Sequence, residues 1–388
     1  MKIIFISQPI WFYPMKERLG IKDELLKRNI KYEYWSTYYL IDKIPPGKIL
    51  DRKEIEKKYI FKKIKDIFKK INELDKNTIV FMEESATFIH LQIYRKLLEK
   101  NIKLNLVKWG VISNFDNKKY ILNLMTRIFN MNIFYILKRV YEKTMFKVYK
   151  NKLSSEIKNS DPKINLLYSG EEYKVNFQKT YKIKNKEINF ISVMRKDLSD
   201  YYQIKKTEEN QVVFLDQNLP YHLDFDRRNI QRIEADKYYK KINIFFEYVE
   251  KKFNTNVVIA AHPSSNYNTN FFNGRKIIKG ETASEIKKSR FIIGHYSAIL
   301  GLATIDKKPI IFLSMEEFSK EMKDIIKKIA INELNSTLIE FEKFNFNENI
   351  ELKVDKEKYQ KYYKNYLYDE KELKATKDIV LDLIEINS

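Results

Sequence analysis

The sequence is punctuated by short apolar runs that stop on polar residues, and the segments between them are long enough for one helix each. Ile3-Ile4-Phe5-Ile6 ends at Ser7-Gln8-Pro9, Thr78-Ile79-Val80-Phe81-Met82 at Glu83-Glu84-Ser85, and Val212-Val213-Phe214-Leu215 at Asp216-Gln217. In the same way Val257-Val258-Ile259-Ala260-Ala261 ends at His262-Pro263, and Phe291-Ile292-Ile293-Gly294 at His295. A strand that is apolar on both faces needs cover on both faces, and strand–helix–strand spacing supplies it. The pattern therefore predicts α/β architecture with parallel, doubly wound sheets.

The alternation runs twice. In the first half the pattern predicts strands at 2–7, 32–35, 78–82 and 103–108, with helices over 15–29, 51–76 and 87–100. The rhythm then breaks at 118–152, a helical stretch rich in Phe, Tyr, Ile, Leu and Met. It holds Lys118, Lys119, Arg127, Lys138, Arg139, Lys143, Lys147, Lys150 and Lys152 against the single acid Glu142. The polar stretch 154–188 reads as an interdomain or peripheral segment, and the boundary falls near 185–205. Strands then resume at 211–215, 256–261, 276–278, 290–294 and 308–313, with helices over 235–253, over 282–288 and from about Ala298. The expected organisation is a domain over 1–195 with the basic aromatic insertion at about 118–152, a second domain over 205–370, and a closing helix in 371–388.

Composition removes several classes of function. Hydrophobic residues make up 44% of the 388, too many for a disordered chain. The absence of cysteine removes disulfides, thiolate metal sites and a thiol nucleophile. Four histidines, at 90, 222, 262 and 295, make a histidine-rich metal centre unexpected. No apolar run is long enough to span a bilayer, and the N-terminus reads as a first strand rather than a signal peptide. The expected location is cytoplasmic, with peripheral attachment to the inner face of the plasma membrane. A net charge of 73 − 52 = +21 calls for an anionic partner: a nucleic acid, an anionic membrane surface or a phosphorylated substrate. No nucleic-acid-binding motif is present, so nucleic acid is the least expected of the three. GxxxxGK[ST], GxGxxG and GxSxG are all missing, which argues against P-loop, Rossmann-dehydrogenase and serine-hydrolase chemistry.

In open α/β sheets ligands bind beyond the carboxyl ends of the strands, and the polar clusters lie there. Pro263 stops its strand and holds His262 extended, where the imidazole can donate to a phosphate oxygen beside Ser264 and Ser265. Ser297, followed by Ala298, stands where a helix N-cap and its amides would hold an anion. Thr282, opening a helix after Gly280, and Arg275 are weaker examples of the same arrangement. His295 is a candidate second donor. Asp216 is a candidate for a ribose hydroxyl or for the general base, Gln217 for a nucleotide contact, and Tyr221-His222 for lining a sugar pocket. On the other half, Glu83 and Glu84 are candidate bases, with Gln8 and Ser85 on the acceptor side. Two adjacent carboxylates at a strand end point in opposite directions, so one of them serves, and Glu83 is slightly favoured.

The His262-Pro263 pair, the Ser297 turn and the strand Lys308-Pro309-Ile310-Ile311-Phe312 together resemble the C-terminal half of bacterial GT-B glycosyltransferases that use CMP-activated sugars. These are the sialyltransferases, polysialyltransferases and Kdo transferases of surface polysaccharides. Glu83-Glu84-Ser85 is similar to their acidic-acidic-Gly motif, with Ser85 in place of glycine. The resemblance covers about residues 211–313 and that one site in the first half. It implies a GT-B fold, two Rossmann-like domains facing a cleft, with the nucleotide-activated sugar held by the second and a glycan or glycolipid acceptor by the first. It further implies inverting transfer, with a carboxylate as base and His262, Ser297 and His295 on the departing nucleotide phosphate. The donor is then a CMP-sugar, a sialic-acid-like nonulosonic acid or Kdo, and the acceptor a lipooligosaccharide or capsule glycan. No cofactor or metal is expected; Asp224-Phe225-Asp226 has DxD spacing but lies beside Arg227-Arg228. CDP-glycerol glycerophosphotransferases share the pattern and are the alternative on the same fold. A noncatalytic polyanion-binding protein is the alternative of another class.

Overall fold

The computed structural model describes residues 2–7, 19–41, 58–85, 87–108, 133–160, 164–205, 207–222, 225, 231–267, 270–368 and 374–385. The chain divides into two compact units. The first ends at Lys196 and takes up the chain again from Tyr368, and the second runs from Asp197 to Leu367.

The first unit is built on seven parallel strands: β1 (Lys2–Ser7), β2 (Tyr32–Ser36), β3 (Lys58–Ile60), β4 (Thr78–Glu83), β5 (Lys103–Lys108), β6 (Asn165–Tyr168) and β7 (Asn189–Ser192). Their order is β3-β2-β1-β4-β5-β6-β7, so the winding reverses between β1 and β4. Ile3, Phe5, Ile79 and Phe81 face one apolar layer, and Ile4, Ile6, Val80 and Met82 the other. The first layer is closed by the C-terminal helix Thr376–Glu385, which buries Val380, Leu381 and Ile384 against β1. That helix is fastened by Thr376 Oγ1 donating to the Met194 carbonyl and by the Arg28–Glu385 ion pair.

The second unit has six strands: β8 (Gln211–Leu215), β9 (Asn256–Ala261), β10 (Ile277–Lys279), β11 (Ile292–Gly294), β12 (Ile310–Ser314) and β13 (Thr337–Glu340). All its pairings are parallel, in the order β10-β9-β8-β11-β12-β13. Relabelled within the unit this is 3-2-1-4-5-6, with the reversal between β8 and β11. The helix Ala235–Phe253 covers one face through Tyr238, Tyr239, Ile242, Phe245, Phe246 and Val249, a helical spacing. It stops at Asn254, whose left-handed backbone (φ 46°) lets its amide bond the Glu250 carbonyl.

Two sequence expectations are corrected. The single helix expected over 51–76 is interrupted: Lys58–Ile60 pairs with β2 as an edge strand, and the helix begins at Ile64. Trp35 is the cause, since Tyr59 and Phe61 both pack edge-on against its ring at 6.4 and 5.4 Å. The stretch 154–188 is not peripheral, because it contributes β6 and the helix Glu171–Tyr181 to the first unit. Its strand is marked by asparagines: Asn165 donates to Asn105 at 2.8 Å and accepts from Asn189 at 3.0 Å, a ladder across β5, β6 and β7. Residues 15–18, 51–57, 118–132, 371–373 and 386–388, which belong to expected elements, lie outside the described residues.

Phe214, fully buried on β8, contacts Phe246 and His295 with ring centroids 5.0 and 5.6 Å apart. Phe214→Ala is expected to lower the stability of the second unit by about 3–5 kcal/mol in a denaturant titration. Leu26→Ala, at a side chain 58% exposed, should stay within about 0.5 kcal/mol.

Candidate active site

In the second unit three polar turns follow the adjacent strands β9, β8 and β11, at the reversal where an open sheet offers its crevice. Asp216 ends β8 and ties these turns together. One carboxylate oxygen accepts from the Asn218 amide at 2.8 Å, and the other accepts from the His262 amide at 3.2 Å and from the Tyr267 hydroxyl. Burial pushes the Asp216 pKa up, while the Tyr267 hydroxyl and the backbone amides oppose the shift. Both oxygens are bonded within the protein, so Asp216 acts as a strut for the β9 turn. Gln217 bridges in the other direction, its Oε1 accepting from the Tyr296 amide at 3.0 Å across the reversal point.

His262 is held by the turn it begins. The Ser264 amide donates to Nδ1 at 3.2 Å, and Ser264 Oγ lies 2.7 Å from the same nitrogen. A backbone N–H can only donate, so Nδ1 is the acceptor and the neutral ring carries its proton on Nε2. Ser265 closes the turn, with its amide and hydroxyl both on the His262 carbonyl at 2.9 and 2.7 Å. Lys279, the last residue of β10, donates to the Ser265 carbonyl at 2.7 Å. Pro263 and Ser264 are exposed, and the His222 ring stands 5.4 Å from that of His262.

His295 corrects an expectation. It is fully buried, with Nδ1 donating to the Leu313 carbonyl at 2.6 Å and Nε2 accepting from the Tyr238 hydroxyl at 2.9 Å. Both ring nitrogens are used inside the core, so the ring supports the β11 turn and gives no donor to a ligand. Desolvation lowers its pKa to about 4. Ser297 is an N-cap as expected, accepting from the Ile299 amide at 3.4 Å, but the segment it caps, Ala298–Thr304, is a short 3₁₀ helix. Thr282 is the first residue of the helix Thr282–Lys288, whose N-cap position is occupied by Glu281. It follows the edge strand β10, two strands from β8. Arg275 is taken by Glu250, with Nη2 to Oε2 at 2.6 Å.

In the first unit Glu83 is the last residue of β4, level with Ser7 at the end of β1, beside that sheet's reversal point. Tyr94 clamps the turn: its hydroxyl donates to the Glu83 carbonyl and accepts from the Ser85 amide, both at 3.1 Å. Glu84 points the other way and is buried. It pairs with Lys108 at 2.9 Å and accepts from the Tyr181 hydroxyl at 3.3 Å. Glu83 is half-buried, and Ser85 follows in the same turn. Gln8 and Pro9, like Asp224, Asp226 and Arg227-Arg228, lie outside the described residues. Among the described residues no cluster of three or more His, Asp or Glu side chains has metal-holding geometry.

No protein-family model matches the chain, and no curated protein matches it. Solved structures do. The wall teichoic acid polymerase TagF aligns over 100% of this chain and 89% of its own, with a TM-score of 0.52 at 11% identity. MurG of Acinetobacter baumannii aligns over 99% of each chain, with a TM-score of 0.49 at 10% identity. The calicheamicin glycosyltransferase CalG4 aligns over 100% and 98%, with a TM-score of 0.47 at 10% identity. The chain has the GT-B fold. In this chain the fold is two doubly wound parallel sheets, each with its reversal beside a strand whose carboxyl end carries the polar residues described above.

Tyr267, Lys279, Tyr94 and Lys108 escape the sequence reading. A lysine ending a buried strand, as at Lys108, is the one local signal available, since a cation there must find an oxygen at the sheet's edge.

His295 gives a pH signature. The unfolded ring takes a proton near 6.5 and the folded ring only near 4. Between those values the unfolded chain binds more protons, so stability falls as the pH drops through the window, by about 3 kcal/mol from this group. Melting curves across that range are expected to show the loss, with a shallower slope in His295→Gln.

Proposed function

We propose that the protein is an inverting glycosyltransferase that takes a nucleotide-activated sugar on its second unit and a glycan or glycolipid acceptor on its first. The donor in this reading is a CMP-activated nonulosonic acid or Kdo. The acceptor is a bacterial surface glycan, assembled at the cytoplasmic face of the plasma membrane. The observation that carries the reading is the Ser264 amide on His262 Nδ1, which assigns the ring proton to Nε2, at the carboxyl end of β9 beside the reversal point of the sheet. That is the donor a nucleotide phosphate needs, on a turn braced by Asp216, Ser265 and Lys279.

The step is a single displacement. Glu83 takes the proton of the acceptor hydroxyl, whose oxygen bonds to the anomeric carbon as the bond from that carbon to the phosphate oxygen breaks. The configuration inverts and the nucleotide leaves as a phosphate anion, met by His262 with Ser264 and Ser297 beside it. Glu84 is buried and bonded to Lys108 and Tyr181, whereas Glu83 is half-buried at the end of β4, which favours Glu83 as the base. Protein donors neutralise the leaving phosphate in this scheme, so no metal is required.

A thermal-shift series with CMP, CDP, UMP, UDP, GDP and ADP, with and without magnesium, tests the donor. CMP is expected to raise the melting temperature most, independently of magnesium. A CDP preference would move the reading to glycerophosphate transfer, and no shift by any nucleotide would sink it. His262→Ala should weaken nucleotide binding by about 10- to 100-fold. Glu83→Gln should bind as the parent does and lose about 10²- to 10⁴-fold in kcat. Unchanged binding in the first variant or unchanged turnover in the second would remove the assigned residue.

A further inference from the structure

Over residues 140–158 the helix Ile133–Lys158 has an apolar inner face and leaves Val140, Tyr141 and Val148 exposed. The inner stripe is Phe146, Tyr149, Leu153 and Ile157, spaced i, i+3, i+7, i+11, and it belongs to the core of the first unit. It is locked there by Arg95, which grips Glu156 through Nε at 2.7 and 2.9 Å and lies over the Tyr149 ring at 5.4 Å. Ser154 adds a hydrogen bond to the Tyr181 carbonyl at 2.7 Å. The orientation of the helix is therefore fixed by its inner face, and what remains is turned outward.

Outward stand Val140 and Val148, 58% and 40% exposed, with Thr144 between them at i, i+4, i+8 spacing; Tyr141 alongside meets the Phe88 ring edge-on at 6.1 Å and leaves 55% of its surface exposed. Lys143 and Lys147 flank this stripe on one side and Lys152 on the other, all exposed. The only acid within 140–152 is Glu142. Apolar side chains left in water cost free energy, and a cluster of them bordered by cations matches a surface that is apolar at depth and anionic at its edge. A bilayer with anionic headgroups is such a surface: the valines and the exposed side of the tyrosine enter the acyl boundary, while the lysine stems extend and place their ammonium groups on phosphates.

We propose that the outward face of this helix, centred on Val140, Tyr141 and Val148 and edged by Lys143, Lys147 and Lys152, is a docking surface for an anionic lipid bilayer. It stands apart from the transferase reading, because it uses none of the residues assigned to donor or acceptor.

Flotation of the full-length protein with vesicles tests it, comparing phosphatidylcholine alone with phosphatidylcholine containing about one-third phosphatidylglycerol. Binding is expected only with phosphatidylglycerol, and it should collapse when salt is raised to about 0.5 M. Each lysine contributes about fivefold, so Lys143→Ala, Lys147→Ala and Lys152→Ala combined should weaken binding on the order of a hundredfold. Val140→Asp with Val148→Asp should abolish it. Melting curves and the nucleotide shift of each variant are expected to match the parent, which separates loss of docking from loss of fold. The proposal is overturned if the variants float like the parent, if phosphatidylcholine alone binds equally, or if no vesicle is bound. A parent protein that is dimeric and becomes monomeric on Val148→Asp, without binding vesicles, would assign the face to a second copy of the chain instead.

Discussion

Every strand pairing in both sheets is parallel, and a parallel sheet buries both of its faces. From that constraint follow the helices on either side and the all-apolar interiors of β1, β4 and β8. It also determines where polar chemistry can reside. A charged side chain within β8 would have no water on either face, so the first position open to a carboxylate is the residue after the strand. Asp216 takes it and is still buried. A buried carboxylate is tolerable only when its oxygens are bonded, and the donors within reach are the amides of the neighbouring turns and the Tyr267 hydroxyl. Satisfying Asp216 thus fixes the turn that begins at His262.

The two histidines of the second unit show how one ring can be tuned in two ways by its neighbours. His295 meets a carbonyl, which can only accept, and so carries its proton on Nδ1. His262 meets an amide, which can only donate, and so carries it on Nε2. The first ring lies inside the core with its remaining nitrogen closed by Tyr238, and its desolvation keeps it neutral far into the acid range. Neither outcome depends on the ring itself. Each is decided by the hydrogen-bonding sense of one backbone group.

Much of this architecture was legible because burial on both faces writes itself as an uninterrupted apolar run. β1, β4, β8, β9 and β12 are such runs. β6 was not, since it is four residues long and opens on an asparagine that serves the Asn105–Asn165–Asn189 ladder. β3 was hidden inside a lysine-rich pattern that fits a helix equally well, and only the ring of Trp35, distant in sequence, decides for a strand. At the candidate site the strand ends told where polar residues gather, but not which of them turn inward. His262 and His295 each follow a buried strand, and no local pattern distinguishes a ring held at the sheet's edge by Ser264 from one closed in by Leu313 and Tyr238.

The adjacent carboxylates Glu83 and Glu84 illustrate the same division within two residues. Successive side chains in an extended backbone point to opposite sides, so one of the pair goes toward the interior whichever side the ligand occupies. Glu84 goes inward and meets Lys108 from the end of β5 and Tyr181 from the helix that follows β6. Removing one partner of a buried ion pair leaves a desolvated charge and is more damaging than the pair's net contribution suggests. The pair therefore acts as a tether between β4 and β5 at their carboxyl ends. Lys108 also donates to the Glu84 carbonyl at 2.9 Å, and Tyr94 holds the carbonyl and amide on either side of that residue. The backbone around Glu83 is fixed on both flanks by groups serving its neighbour, so in the proposed transfer the second acid would act by positioning the first.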